Sequence, residues 1–265
     1  MDKSLNISTV SDQNVSNIIG QFKIFRERRD KKEFNFPSGK DLKLFLAKKI
    51  DHTLLKPEAT QDEVIKLCDE ADKFDFASVC VMPSYITLCK DRIKSSNVKV
   101  CAVIGFPLGA TITEVKKYEA QQSIKNGAQE LDMVINIGRL KDGDYNYVFD
   151  DIAAITQLTK SVNIICKVII ETVLLTDEEK VKACLIARDA GADFVKTSTG
   201  FSKGGATLED VSLMKFVVGD KLLVKASGGI RSREDAMKMI ANGADRLGTS
   251  SGVKIILGEQ STASY

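Results

Sequence analysis

The stretch AGADFVKTSTGF, residues 190–201, holds one complete unit of architecture. A helix pattern stops at Gly191, a short apolar run comes next, and the run ends in a lysine, hydroxyls and a glycine. The same join recurs in NGAQELDMV, residues 126–134, and in NGADRLGTS, residues 242–250. Each shows Gly, then Ala, then an acidic or amide residue leading into a strand pattern. Gly127, Gly191 and Gly243 supply the left-handed residue that ends a helix before a strand. They fall at the strands' N-terminal ends, so they read as structural.

Outward from these joins the chain alternates. Strand patterns are expected at 50–55, 77–82, 99–105, 130–136, 163–171, 193–198, 222–227 and 245–250. Helix patterns such as TQDEVIKLCDEADKF, TITEVKKYEAQQSIKNG, TDEEKVKACLIARDAG and SREDAMKMIANG lie between them. Such alternation predicts an α/β chain with a parallel sheet closed as a (β/α)8 TIM barrel. Residues 1–45 differ: they are polar, with the mixed-charge cluster KIFRERRDKK. Ile18, Ile19, Phe22 and Phe25 at helical spacing predict a helix over 15–28. DLKLFLAKKI predicts a second helix, packed against the barrel domain. The expected organisation is an N-terminal helical extension over 1–45 and a barrel with a C-terminal tail over 46–265.

Three lysines interrupt apolar strands: Lys167 in NIICKVIIE, Lys196 in DFVKTSTG and Lys225 in LLVKASGG. An ammonium loses its hydration in such places, so lysine is rarely buried without a partner or a task. Side chains alternate along a strand, which groups Asp132 with Glu130, Val134 and Asn136. It likewise groups Lys167 with Ile165, Ile169 and Glu171, Lys196 with Ser198, and Lys225 with Ser227. These faces should line the barrel interior toward its C-terminal mouth, where barrel enzymes carry their chemistry. Adjacent cations depress one another's proton affinity, and a neutral amine attacks carbonyls to form a Schiff base. Asp132 would carry protons. Asp132 and Lys167 also fit a buried structural ion pair.

TSTGF, ASGGIRS and LGTSSG come directly after the last three strands. Gly-rich backbone at such loops binds anions, and barrels often hold phosphate there. The competing reading is tight turns alone. Arg231 adds a charge or caps its helix.

Net charge is +2, Trp is absent and aromatics are 6%, so nothing points to nucleic acid. No stretch approaches the about 18–20 apolar residues of a membrane span. The N-terminus has no signal-like apolar core. Six cysteines form no C-x-x-C pair and read as reduced, buried thiols of a cytoplasmic protein. With His52 as the single histidine, a His/Cys metal site has little support, and His52 reads as structural.

IDHTLLKPEAT, ELDMVINIG, CKVIIET, FVKTSTGF, VKASGGIRS and RLGTSSG, in this order from Ile50 to Gly252, resemble the deoxyribose-phosphate aldolase family of class I aldolases. The resemblance implies a (β/α)8 barrel. It also implies reversible cleavage of 2-deoxy-D-ribose 5-phosphate to acetaldehyde and D-glyceraldehyde 3-phosphate, without metal or organic cofactor. It implies Lys196 as the Schiff-base lysine, Lys225 as the lysine that perturbs it, Asp132 as acid/base and Lys167 as a supporting charge. Phosphate would rest on Gly200, Gly228, Gly229, Gly248, Ser250 and Ser251. Tyr265 resembles a tail tyrosine that assists proton exchange in some members. Phe201 stands where some members have a phosphate-binding lysine, which shifts that task toward the backbone. Dimers or tetramers are common in the family. Two rivals stand beside this reading: another phosphate-binding barrel aldolase, and a non-catalytic relative serving as a scaffold.

Overall fold

The computed structural model describes residues 6–29 and 34–259. Outside the barrel come α1 (Asp12–Arg29) and α2 (Gly39–Ala47). The barrel then runs β1 (Ile50–Leu54), α3 (Gln61–Phe74), β2 (Ser78–Val81), α4 (Ile86–Arg92), β3 (Lys99–Ile104), α5 (Thr113–Asn126) and β4 (Glu130–Val134). It continues with α6 (Ile137–Lys141), α7 (Tyr145–Ser161), β5 (Ile165–Ile169), α8 (Asp177–Asp189), β6 (Phe194–Lys196) and α9 (Leu208–Val218). It ends with β7 (Leu223–Ser227), α10 (Arg233–Ala241), β8 (Arg246–Thr249) and α11 (Gly252–Leu257). The eight strands are parallel and pair in sequence order, and β1 pairs β8 to close the barrel.

Strand alternation sorts the side chains into two cores. Val79, Val100, Leu131, Cys166, Val195, Val224 and Leu247 point outward and join the helices in one continuous apolar shell. Inside, Leu55, Cys80, Cys101 and Val103 form a small separate cluster. The rest of the interior sets charged groups among Val134, Ile169 and Phe194. Helix starts are fixed locally by capping boxes, Thr60 with Glu63 and Thr176 with Glu179. Gly127, Gly191 and Gly243 all have positive φ, as the helix-to-strand joins predict.

Several expected strands end early. The fifth, expected over 163–171, spans Ile165–Ile169 because Asn163 and Glu171 take left-handed backbone at either side. Asn136 does not continue the Asp132 face. It caps α6, its side chain accepting from the Arg139 amide.

The extension packs on the barrel's exterior. Phe22 and Phe25 of α1 meet Phe216 of α9, with ring centroids 5.6 and 5.1 Å apart. Asp12 bonds Lys182 of α8 at 2.7 Å, and Arg26 pairs with Glu209. Leu44 and Phe45 of α2 line a cavity with Phe194, Leu223 and Arg246, beneath the N-terminal end of the barrel. His52 faces the helical shell, where Nε2 lies 2.8 Å from Glu70 and the ring packs on Phe76.

Candidate active site

The lysines at the sequence's apolar interruptions converge on one carboxylate. Asp132 sits mid-β4, opposite Lys167 of β5 in the ladder. Lys196 of β6 and Lys225 of β7 are direct register partners. Lys196 Nζ donates to Asp132 Oδ2 at 2.8 Å and Lys225 Nζ to the same oxygen at 2.7 Å. Lys167 Nζ donates to Oδ1 at 2.8 Å, and the Cys101 thiol to Oδ1 at 3.1 Å. One buried carboxylate therefore faces three ammonium groups.

A second tier lies below. Lys167 also meets Glu130 at 2.6 Å and Asp51 at 3.8 Å, and Lys225 meets Asp51 at 2.5 Å. Arg246 reaches Asp51 at 2.6 Å and Glu130 at 3.4 Å. Four cations (Lys167, Lys196, Lys225, Arg246) thus share three carboxylates (Asp51, Glu130, Asp132). Burial alone would raise the Asp132 carboxyl, but the three lysines outweigh it and hold that group well below the usual carboxylate range. Burial pulls the ammoniums of Lys167 and Lys225 down, but Asp132 and its neighbours win and both stand above their ordinary value. Lys167 and Lys225 are cations, each with two or more carboxylates. Lys196 has Asp132 alone, and it is the last residue of its strand. It is the cation of the network with the fewest carboxylate partners.

Sequence reasoning did not assign Asp51 or Arg246. Asp51 precedes His52 at a strand start, and Arg246 comes after Asp245 in what reads as an ordinary turn-to-strand step. Glu130 was visible as an in-phase neighbour of Asp132 but carried no role. The Lys167–Asp132 ion pair exists, as one strut of the larger network.

The mouth is lined by hydroxyls. Thr199 donates to Glu171 Oε2, with its amide at 3.2 Å and its hydroxyl at 2.5 Å. Oγ of Ser198 and Ser227, Oγ1 of Thr172 and Oε1 of Glu171 are buried without a protein partner.

The glycine-rich segments meet at the same end. The Ala206 amide donates to the carbonyls of Ser227 and Gly228, tying the loop after β6 to the loop after β7. The contact is tight: a Cβ on Gly205 would lie 2.5 Å from the Gly228 carbonyl. Gly200, Gly228 and Gly229 have positive φ in these loops. Gly248 lies within β8 and faces inward. A Cβ there would approach Ser227 Oγ to 2.4 Å and Lys225 Cε to 3.0 Å, so the glycine leaves room for the lysine. Ser250 is exposed, and the Ser251 amide donates to Thr249 Oγ1. Arg231 is exposed and its amide donates to Asp235. Phe201, 47% exposed, stacks edge-on to Phe106. Tyr265 lies outside the described residues.

Among the described residues, the thiols of Cys80 and Cys101 and a carboxylate oxygen of Asp132 form the one group with donor atoms close enough for a metal, within 4.8 Å. The lysines already crowding Asp132 repel a further cation there.

A closed parallel barrel with an amine cluster at its C-terminal mouth defines a carbonyl-condensing barrel enzyme. Residues 45–258 match the DeoC/LacD family aldolase, and the chain belongs to that family. It is therefore an aldolase, a carbon–carbon lyase. It is 60% identical to the deoxyribose-phosphate aldolase of Finegoldia magna over 213 residues, 80% of this chain and 99% of that one. It is also 60% identical to that of Thermococcus kodakarensis, over 80% of this chain and 96% of the relative. A crystal structure of a Coccidioides immitis protein superposes with a TM-score of 0.80 at 40% identity, covering 90% of this chain and 96% of that one. The tetrameric deoxyribose phosphate aldolase of Aeropyrum pernix gives 0.75 at 37% identity, covering 83% and 97%. No helix among the described residues is long and apolar enough to cross a membrane.

Proposed function

We propose that this aldolase reversibly cleaves 2-deoxy-D-ribose 5-phosphate to acetaldehyde and D-glyceraldehyde 3-phosphate, with Lys196 forming the Schiff base. The observation that carries the residue assignment is the geometry at Lys196: its Nζ lies 2.8 Å from Asp132, its one carboxylate partner, whereas Lys167, Lys225 and Arg246 each meet two or more.

The neutral Lys196 amine attacks the aldehyde carbon of the open-chain sugar, and loss of water gives an iminium. Asp132, through a water, accepts the proton of the C3 hydroxyl while the C2–C3 bond breaks. Glyceraldehyde 3-phosphate leaves, and the electron pair of the broken bond rests in the enamine. Protonation of the enamine carbon, with Tyr265 assisting, and hydrolysis release acetaldehyde and restore the amine. Lys225 and Lys167 stay charged throughout. The phosphate is assigned to the loops after β6, β7 and β8, on Gly200, Gly228, Gly229, Ser250 and Ser251, with Gly248 clearing space. The partnerless hydroxyls at the mouth suit the sugar's hydroxyl groups.

Borohydride reduction with acetaldehyde should add a two-carbon unit to Lys196, located by peptide mass mapping. A label on another residue, or none, removes the assignment. The reading includes a homo-oligomer, which light scattering of the purified protein tests. It also includes a cytoplasmic setting, supported by six free, buried thiols.

A further inference from the structure

Two cysteines face one another inside the barrel wall. Cys80 of β2 and Cys101 of β3 are register partners in the parallel ladder. Neighbouring strands run about 4.8 Å apart, and a disulfide spans Cα separations of about 4.4–6.8 Å. Both side chains point inward, in the small cluster with Leu55 and Val103. Both thiols are free and buried. Cys101 Sγ donates to Asp132 Oδ1 at 3.1 Å, and Lys167 Nζ approaches Cys101 Sγ to 3.4 Å. The dithiol therefore borders the carboxylate on which the lysines converge.

We propose that Cys80 and Cys101 form a modification site: a dithiol that a hydroperoxide oxidises to an intramolecular disulfide, depriving Asp132 of its thiol donor. The effect on turnover rests on the role given to Asp132 above; the disulfide itself does not. The Cys80 sulfur attacks a peroxide oxygen and the O–O bond breaks, leaving a sulfenic acid and one water. The Cys101 sulfur then attacks the Cys80 sulfur. The S–S bond forms, the S–O bond breaks and a second water leaves. Two thiol protons and two electrons convert one hydrogen peroxide to two waters.

The environments of the two sulfurs suit these separate tasks. The Cys80 thiol is held below its ordinary value by the bond with Cys101 and by the Lys225 and Lys196 ammoniums. Burial, the bond with Cys80 and Asp132 hold the Cys101 thiol well above it. With the Cys101 proton engaged by Asp132 at 3.1 Å, Cys80 is assigned the attack and Cys101 the resolution; the reverse order gives the same disulfide. Both sulfurs are fully buried, so the oxidant must be as small as hydrogen peroxide to reach them. The other adjacent pair, Cys68 of α3 and Cys89 of α4, is packed in the apolar helical shell. It serves as an internal control.

The test treats the full-length protein with hydrogen peroxide, blocks remaining thiols with N-ethylmaleimide and maps peptides without reduction. The expected products are a loss of two hydrogens and a crosslinked peptide pair containing Cys80 and Cys101. Retro-aldol turnover should fall and return with dithiothreitol. Cys80→Ser should lose the crosslink and the reversible inactivation, each rate being compared with that variant's own untreated rate. A crosslink confined to Cys68 and Cys89, or sulfinic acids without any crosslink, overturns the proposal. A Cys80–Cys101 crosslink with undiminished turnover overturns its connection to Asp132. An untreated protein with no retro-aldol turnover counts against the proposed function, while the crosslink still decides the dithiol.

Discussion

Lys116 of α5 and the lysines of the barrel interior are equally hidden from solvent, yet they are neutralised in different ways. Lys116 meets a single carboxylate, Asp151 of α7, at 2.5 Å, and donates to the Val134 carbonyl at 2.9 Å. Thr113 adds a hydroxyl to the other Asp151 oxygen at 2.9 Å. The count is one to one, and burial dominates: it lowers the Lys116 ammonium and raises the Asp151 carboxyl despite their attraction. In the interior the balance reverses. There the mutual field of several charges overcomes burial, so Lys167 and Lys225 stand high and Asp132 low. An isolated pair is self-neutralising and has no proton to spare. The interior network ties four cations to three carboxylates, and Lys196 is the member with one carboxylate partner.

That contrast breaks most visibly at Lys196. Lys196→Leu should reduce turnover by roughly 10³-fold or more, with an unchanged circular-dichroism spectrum. Persistent activity would move the chemistry elsewhere. Asp132→Asn should come next, with a loss on the order of 10²–10⁴-fold in kcat. A change confined to KM would make Asp132 a binding group instead. Lys225→Met removes the second lysine that donates to Asp132 Oδ2. Turnover should fall by about 10²-fold in kcat. A change confined to KM would take Lys225 out of the proton-handling group.

At the shell pair the effect should be on stability alone. Asp151→Leu strands the Lys116 charge and should cost about 3–5 kcal/mol in chemical denaturation, while turnover of the folded protein persists. The double change Lys116→Met with Asp151→Leu should recover much of that loss. The smallest effect is acid sensitivity. The carboxyls of Asp51 and Asp132 are held lower in the folded chain than in the unfolded one, so the unfolded state binds protons more readily. Their contribution is complete above the unfolded value of about 3.9 and fades as pH falls below it. Asp151 is raised, so it runs opposite: it disfavours the folded state once ionised in the unfolded chain. Denaturation midpoints measured from pH 6 downward, with and without Asp132→Asn, separate these contributions.

Much of this was readable in the linear sequence because of contrast. Lys167, Lys196 and Lys225 stand out against β-branched neighbours, and the period of two placed each on the face where it was found. The Gly-Ala-acid joins announced three strand entries. Lys116 was hidden for the opposite reason. In TITEVKKYEAQQSIKN a lysine among polar residues reads as solvated, and only the docking of α5 on α7 buries it. Asp51 and Arg246 were opaque because their meaning depends on barrel closure, a contact between the first and last strands that no local pattern encodes. The two cysteines read correctly as buried thiols, but their adjacency required the register of β2 on β3. Tyr265 and residues 30–33 lie outside the described residues.

Asp51 and Arg246 flank the seam where the cylinder shuts, Asp51 opposite Gly248 in the β1–β8 ladder. During synthesis the first of them emerges early and the second almost last. Until the final strand docks, the acid on the opening strand lacks its guanidinium partner and the amine array has no settled balance of charge. A chain cut short before the eighth strand would accordingly be inert as well as incompletely folded. Competence arrives in one step, with the last stave of the cask.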